Sequence, residues 1–331
     1  MRVAIFGAGA SAIAAAHYLM RKGISDITLF EKADELGGTW RDNRYPGVAC
    51  DVPSHLYRFT FAPNAEWTQR CSPGDEIQSY MRDTAVKLGL IDKIRFGHEV
   101  TDATYTDGRW AVTTTQGLQG EFDAIISATG ALHHPRFPDI DGIEDFAGLA
   151  CHSARWDPET NLSGKRVGVI GSGSTGTQIV AAVVDRVAQL TLFQRTPQWI
   201  MPLPNHPIEE EKRQEYRDNP AAMDSYYAYL ADRFNTVFAD AVSGNNPEAY
   251  EHMAQACENN LHASVQDPVL RAKLTPDYKV GCKRLVVSDT FYHAIQQPHA
   301  QLETGAIARI EPDGVRTDDG ALHDLDVIIF A

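Results

Sequence analysis

Cysteine is scarce in this 331-residue chain: Cys50, Cys71, Cys151, Cys257 and Cys282 are odd in number, far apart and without a CxxC spacing. A disulfide framework and a zinc site are both disfavoured, no metal is expected, and a reducing cytoplasm suits the pattern best. Basic residues are the minority sign, 30 Lys and Arg against 44 Asp and Glu, for a formal net charge of −14. Without a basic patch, so acidic a surface repels phosphate backbones, which argues against nucleic acid as a partner. Long apolar runs are missing too. None approaches the ~18 residues of a membrane span. Met1-Arg2 leads directly into the strand-like Val3-Ala4-Ile5-Phe6, so no signal peptide is expected. What remains is ordinary for a soluble globular chain, 43% hydrophobic and 22% charged, at a length that allows two cores.

The organising feature is an internal repeat. Val3-Ala4-Ile5-Phe6 runs into Gly7-Ala8-Gly9-Ala10-Ser11-Ala12, an alanine-rich helical stretch and the strand Ile27-Thr28-Leu29-Phe30. Val167-Gly168-Val169-Ile170 runs likewise into Gly171-Ser172-Gly173-Ser174-Thr175-Gly176, a helix through Val184 and Leu190-Thr191-Leu192-Phe193. Strand, glycine turn, helix, strand is the start of a right-handed βαβ unit. Two such units predict an α/β fold with two doubly wound, Rossmann-like dinucleotide-binding domains.

Between the copies, residues 93–127 alternate or run apolar in short pieces broken by Asp107-Gly108 and by Gly117 to Gly120, which predicts strands. From His206 to about Lys273, Glu and Lys clusters with spaced Leu, Phe and Met predict inserted helices. The expected division is 1–140 for the first domain and 141–205 for the first part of the second. The helical insertion takes 206–280, and 281–331 returns to the second domain. Asp326-Val327-Ile328-Ile329-Phe330-Ala331 parallels Asp123-Ala124-Ile125-Ile126-Ser127-Ala128, which goes on to Thr129-Gly130. By that parallel the chain is expected to continue with Thr-Gly and to complete the first domain.

Gly7-x-Gly9-x-x-Ala12 is a weak signal alone, but here a strand precedes it, a helix follows, and Glu31 closes the next strand 22 positions after Gly9. Gly7 allows the tight turn, Gly9 lets a pyrophosphate approach the backbone, and the helix N-terminus supplies N–H groups and a positive dipole. Glu31 is suited to accept from a ribose diol. The second copy has Gly171-x-Gly173-x-x-Gly176, but Gln194 stands where Glu31 maps, followed by Arg195-Thr196. A carboxylate repels a 2′-phosphate and a guanidinium binds it. The first site therefore suits FAD and the second NADP. Disulfide reductases share that plan but need a redox cysteine pair after the first unit; Gly37-Gly38-Thr39-Trp40 stands there instead.

Residues 37–51, Gly37-Gly38-Thr39-Trp40 through Tyr45-Pro46-Gly47 to Asp51, resemble the flavin-site motif of Baeyer–Villiger monooxygenases at every fixed position. Phe146-x-Gly148-x-x-x-His152-x-x-x-Trp156-Asp157 resembles that family's fingerprint, and Gly281-Cys282-Lys283-Arg284-Leu285 its arginine segment. The resemblance implies an FAD- and NADPH-dependent monooxygenase that inserts one oxygen of O2 into a ketone through a C4a-peroxyflavin, giving an ester or lactone. It implies that Gly38, Thr39, Trp40, Asp51 and Tyr57 line the flavin and that Val100 touches its adenine. Arg284 would be the catalytic cation, steered by Asp51, while Lys283 and Arg195 grip the NADP phosphate and Thr196 belongs to the same cofactor-binding set. His152 is assigned to domain coupling, and Trp156 to packing in the same region. Two alternatives are an N- or S-oxygenating flavin monooxygenase and a catalytically incomplete nucleotide-binding fragment. Neither the ketone nor the oligomeric state is legible.

Overall fold

Four apolar residues in a row, Val3–Phe6, form strand β1, and all four are buried. A strand covered on both faces needs no polar alternation. The computed structural model describes residues 1–331, whose contacts form two units. The first comprises Met1–Asn43, Phe59–Asn64 and Gly74–Pro135. After β1 it contains α1 (Ala10–Arg21), β2 (Ile27–Phe30), α2 (Thr39–Asp42), α3 (Gly74–Lys87), β3 (Ile94–Arg95) and β7 (Ala124–Ser127). The sheet is parallel, in the order β3-β2-β1-β7. Helix α1 turns Ala12, Ile13 and Ala16 inward, small enough on balance for close helix–sheet contact. Strands β4 (Val100–Thr106), β5 (Arg109–Thr114) and β6 (Gly117–Phe122) make an antiparallel meander. It turns at Asp107-Gly108, where φ is +53° and +83°. Its Val112 and Phe122 pack with Ala4, Phe6 and Phe30.

The second unit comprises Arg44–Arg58, Ala65–Pro73 and Arg136–Ala331. Its main sheet takes β8 (Leu149–His152), β9 (Arg166–Ile170), β10 (Gln189–Phe193), β13 (Ala300–Glu303) and β17 (Val327–Phe330). All pairings are parallel, in the order β13-β10-β9-β17-β8. Helix α4 (Ser174–Val183) buries Ile179, Val180 and Val183 with Val167, Val169, Leu190 and Leu192. Each such side chain contributes roughly 1.5–3 kcal/mol of burial. Short strands β11 (Ile200–Met201) and β12 (Val286–Val287) pair with each other. A meander of β14 (Ile307–Glu311), β15 (Gly314–Thr317) and β16 (Leu322–Asp324) stands beside the sheet.

The inserted helices are α5 (Glu210–Asp218), α6 (Pro220–Arg233), α7 (Asp240–Ser243), α8 (Pro247–Ser264) and α9 (Pro268–Leu274). Three of them open on a capping side chain followed by proline. Asn219 accepts from the Ala222 N–H, Asn246 from Ala249, and Asp267 from Val269 and Leu270. Helix α10 (Phe291–Ala294) follows β12.

The repeat goes deeper than the glycine turns. β7 lies on β1 as β17 lies on β9, with Val3 opposite Ala124 and Val167 opposite Val327. Asp123 accepts from the Arg2 N–H (2.6 Å) and Asp326 from the Arg166 N–H (2.8 Å). The Ala128 N–H reaches the Phe6 carbonyl (2.9 Å), and the Ala331 N–H the Ile170 carbonyl (3.0 Å). Residues 44–58 and 65–73, although inside the span 1–140, pack within the second unit. The backbone at Gly47 (φ +81°) runs so close to α4 that a Cβ would lie 2.7 Å from the Ala182 methyl.

Candidate functional site

In the first unit Gly7 (φ +108°) faces the end of β7, and a Cβ there would sit 2.5 Å from the Ala128 carbonyl oxygen. Its glycine requirement comes from protein backbone. Gly9 differs: a Cβ would meet only Gly38, at 3.6 Å, so two glycine loops lie against each other. Gly9 caps α1 without a side-chain bond, and the first intrahelical bond is from the Ile13 N–H. The N–H groups of Ala10, Ser11 and Ala12 thus point out of the helix end without protein acceptors. Glu31 is 5% exposed and accepts from Ala8 N–H (2.9 Å), Ala33 N–H (3.0 Å) and the Arg41 guanidinium (3.0 Å). Gly38 caps α2, Thr39 begins it exposed, and Trp40 is half-buried. Val100 begins β4 and packs, partly buried, on the Phe30–Phe122 cluster.

The second turn repeats this geometry. Gly171 (φ +119°) faces the Ala331 carbonyl as Gly7 faces Ala128, and Gly176 faces the Gly171 carbonyl. Around Gly173 a Cβ would meet nothing within 4 Å. The N–H groups of Ser174, Thr175 and Gly176 again lack protein acceptors, the first intrahelical bond coming from Thr177. Gln194 is buried and donates to the Lys273 carbonyl (2.9 Å), so the residue in Glu31's place ties α9 to the sheet. Arg195 is exposed and has no ion-pair partner. The Thr196 carbonyl accepts from Ser172 Oγ (2.8 Å). Lys283 lies over the Tyr278 ring at 4.6 Å, and Tyr278 donates to the Pro197 carbonyl (2.9 Å), which keeps Lys283 near the loop after β10.

Asp51 and Arg284, 233 positions apart, meet: Arg284 Nη2 donates to Asp51 Oδ2 at 2.9 Å. The Arg284 side chain is 73% exposed and that of Asp51 21%. Beside them, Tyr45 donates to Gln178 Oε1 (2.9 Å), and burial raises its phenol above the usual range. A cavity of about 230 Å³ adjoins Asp51 and is lined by Gln178, Cys71, Asn205, Ser288 and Asp289 among others. Burial pushes Cys50 up to about 12 and Cys71 up to about 11, so both thiols are poor nucleophiles at neutral pH. Tyr57 is exposed. His152, assigned to domain coupling, ends β8 at the sheet edge; its Nδ1 accepts from the Ala154 N–H (3.1 Å). Trp156 is in the second unit's core. Sequence reasoning missed Arg41, Gln178 and Asn205. Arg41 occupies an unconstrained motif position, and the other two lie outside any of the site motifs.

Two parallel sheets, each with a glycine turn feeding an open helix N-terminus, define an α/β protein of the two-dinucleotide plan. The description "FMO-like: Flavin-binding monooxygenase-like" matches residues 1–331. The chain is 47% identical over 330 residues to an uncharacterized monooxygenase of Mycobacterium tuberculosis, covering 99% of this chain and 66% of the relative. It is 40% identical over 332 residues to a Baeyer–Villiger monooxygenase of Streptomyces coelicolor, covering 100% and 63%. The chain thus spans just under two thirds of the length of these curated relatives. An open crystal structure of cyclohexanone monooxygenase superposes with a TM-score of 0.87 at 30% identity, covering 100% of this chain and 72% of that one. The chain belongs to the flavin-binding monooxygenase-like family, in its Baeyer–Villiger branch. No helix is long and apolar enough to cross a membrane.

Proposed function

We propose that this chain belongs to an NADPH-consuming flavin monooxygenase that inserts one oxygen of O2 into a small-molecule ketone, giving an ester or lactone. The observation that carries the reading is the Asp51–Arg284 pair. Asp51 takes one guanidinium N–H and leaves the other donors of a permanent, planar cation available to an oxygen that gains negative charge. Asp51 is the positioning partner in this reading and Arg284 the catalytic residue. The relatives' printed names agree with the chemistry: one neighbouring structure is a cyclohexanone-bound cyclohexanone monooxygenase, and another is a steroid monooxygenase bound to NADP.

FAD fits the first turn. Open space at Gly9, three outward N–H groups and the helix dipole suit a pyrophosphate. Glu31 has about four lone-pair sites and gives three to protein donors, which leaves one for a ribose hydroxyl. Thr39, Trp40, Tyr57 and Val100 are the further residues proposed to hold FAD. Bound FAD supplies electron acceptance from NADPH and the activation of O2. NADP(H) fits the second turn, where Gly173 leaves open space and Arg195, Thr196 and Lys283 are available to a 2′-phosphate. His152 is proposed to couple the domains, with Trp156 as its packing support. With five free cysteines, we propose a reducing cytoplasm as the compartment.

The test is coenzyme choice. Arg195→Ala should raise the KM for NADPH roughly 10- to 100-fold, the value of a charged hydrogen bond, and leave NADH use unchanged. Steady-state kinetics with both coenzymes and a ketone panel read this out. Equal use of NADPH and NADH by the unmutated protein would sink the assignment.

A further inference from the structure

His55 is 3% exposed, and neither ring nitrogen has a hydrogen-bond partner. Burying two unpaired polar atoms is costly, and phenylalanine would fill the same space without that cost. The ring meets Tyr216 of α5 edge-on at 4.8 Å and Tyr226 of α6 at 5.6 Å. Three residues on, Arg58 lies over the Tyr227 ring at 4.5 Å and pairs with Asp224 at 3.0 Å, both on α6. Arg58 Nε also donates to the His55 carbonyl (3.2 Å). The inserted helices therefore grip residues 55–58 at two adjacent points. The gripped segment carries Asp51 upstream and Tyr57 within it. Immediately before the gripped segment, the Ser54 N–H is bonded to the Arg70 carbonyl (2.7 Å) and Ser54 Oγ to Ser72 Oγ (2.8 Å).

We propose that His55 is a positioning residue: with Arg58 it forms the clasp by which the helical insertion holds the segment bearing Asp51 and Tyr57, and acid opens that clasp. Only the catalytic consequence rests on the proposed function. No carboxylate is available to a charged His55. On its own segment stands Arg58, already paired with Asp224 of α6. From α5 come Tyr216 and Lys212, the latter paired with Glu215 (2.8 Å), and α6 adds Tyr226 and Tyr227. From residues 65–73, Glu66 is bonded to Arg217 (2.8 Å). Burial first, then the positive charges of Arg58 and Lys212, lower His55 to about 4. In an opened clasp the ring regains its ordinary value near 6.5 and binds a proton that the closed form rejects. The stabilisation from neutral His55 is thus complete above about pH 6.5 and is lost as pH falls toward about 4.

Amide hydrogen exchange of α5 and α6, corrected for intrinsic rates and followed from pH 7 to 4, tests this. The open population should rise up to about tenfold per pH unit between pH 6.5 and 4, the linkage of one proton. His55→Phe should remove that part of the slope, and identical slopes in both proteins would overturn the proposal. Asp224→Asn, which weakens the other half of the clasp at an exposed site, should raise opening at every pH and keep the slope. An unchanged level of opening in this variant would also overturn it. Where ketone oxygenation is measured, its acid limb should move to lower pH in His55→Phe; an unmoved limb overturns the positioning role. Absence of oxygenation at every pH counts against the proposed function, and the exchange slopes then decide on the clasp.

Discussion

Arg284→Ala should lose ester formation by two to three orders of magnitude while the protein stays folded and retains its flavin. The two halves of that expectation have separate grounds. The guanidinium is 73% exposed and bound to Asp51 through one hydrogen bond. Exposed ion pairs contribute about 0–1 kcal/mol, so the melting temperature should move by a few degrees at most. In catalysis the same group is proposed to face an oxygen that acquires charge, and removing one preorganised donor of that kind costs about 10²–10³-fold. Arg284→Lys should recover only part of the rate, because an ammonium keeps the charge and loses the planar fork. Asp51→Asn should fall between wild type and Arg284→Ala, since it loosens the cation without deleting it. Product analysis beside thermal melts separates these effects. Normal ester formation by Arg284→Ala would show that the central residue is misassigned.

Much of the architecture was legible because buried parallel strands announce themselves. Val3–Phe6 and Val327–Phe330 are buried throughout and Val167–Ile170 nearly so, so each reads as an unbroken apolar run, and Val3–Phe6 and Val167–Ile170 lead straight into a glycine turn. The likeness of residues 123–128 to 326–331 was visible as a pattern, and the two strands pair equivalently with β1 and β9. The irregular segments carried no such signal. Residues 44–58 lack periodicity and are held by bonds to partners far along the chain, Tyr45 to Gln178 and Asp51 to Arg284. The latter pair came from a resemblance, because nothing in local spacing relates positions 51 and 284. His152 gave no strand signal because Leu149–His152 is an edge strand with two exposed residues. Gln194 was read through the acid it replaces. Its own bond, to the Lys273 carbonyl 79 positions away, depends on where the inserted helices return.

Gly176→Ala and Gly173→Ala should fail in opposite ways, although they lie three residues apart in one turn. At Gly176 a methyl would land on the Gly171 carbonyl oxygen, with the Ala331 methyl 3.7 Å away. That oxygen is part of the backbone leaving β9, so it cannot yield without moving α4 off the sheet. Overpacking of this kind costs about 3 kcal/mol, at the upper end of its range, which is between a fifth and somewhat over half of the roughly 5–15 kcal/mol that holds an ordinary domain folded. At Gly173 the backbone has φ −74° and ψ −172°, open to any residue, and no atom lies within 4 Å of a Cβ. Alanine there should change stability by under about 1 kcal/mol, as expected for a cap position that makes no side-chain bond. Its methyl would instead occupy the space through which a pyrophosphate reaches the N–H groups of Ser174 and Thr175. NADP+ affinity should fall roughly 10- to 100-fold, the loss of one or two charged hydrogen bonds. Thermal melts and NADP+ titrations on both variants distinguish the cases. If Gly173→Ala binds NADP+ as tightly as wild type, the second turn is not the dinucleotide site; if Gly176→Ala melts like wild type, the helix–strand contact is not what requires glycine there.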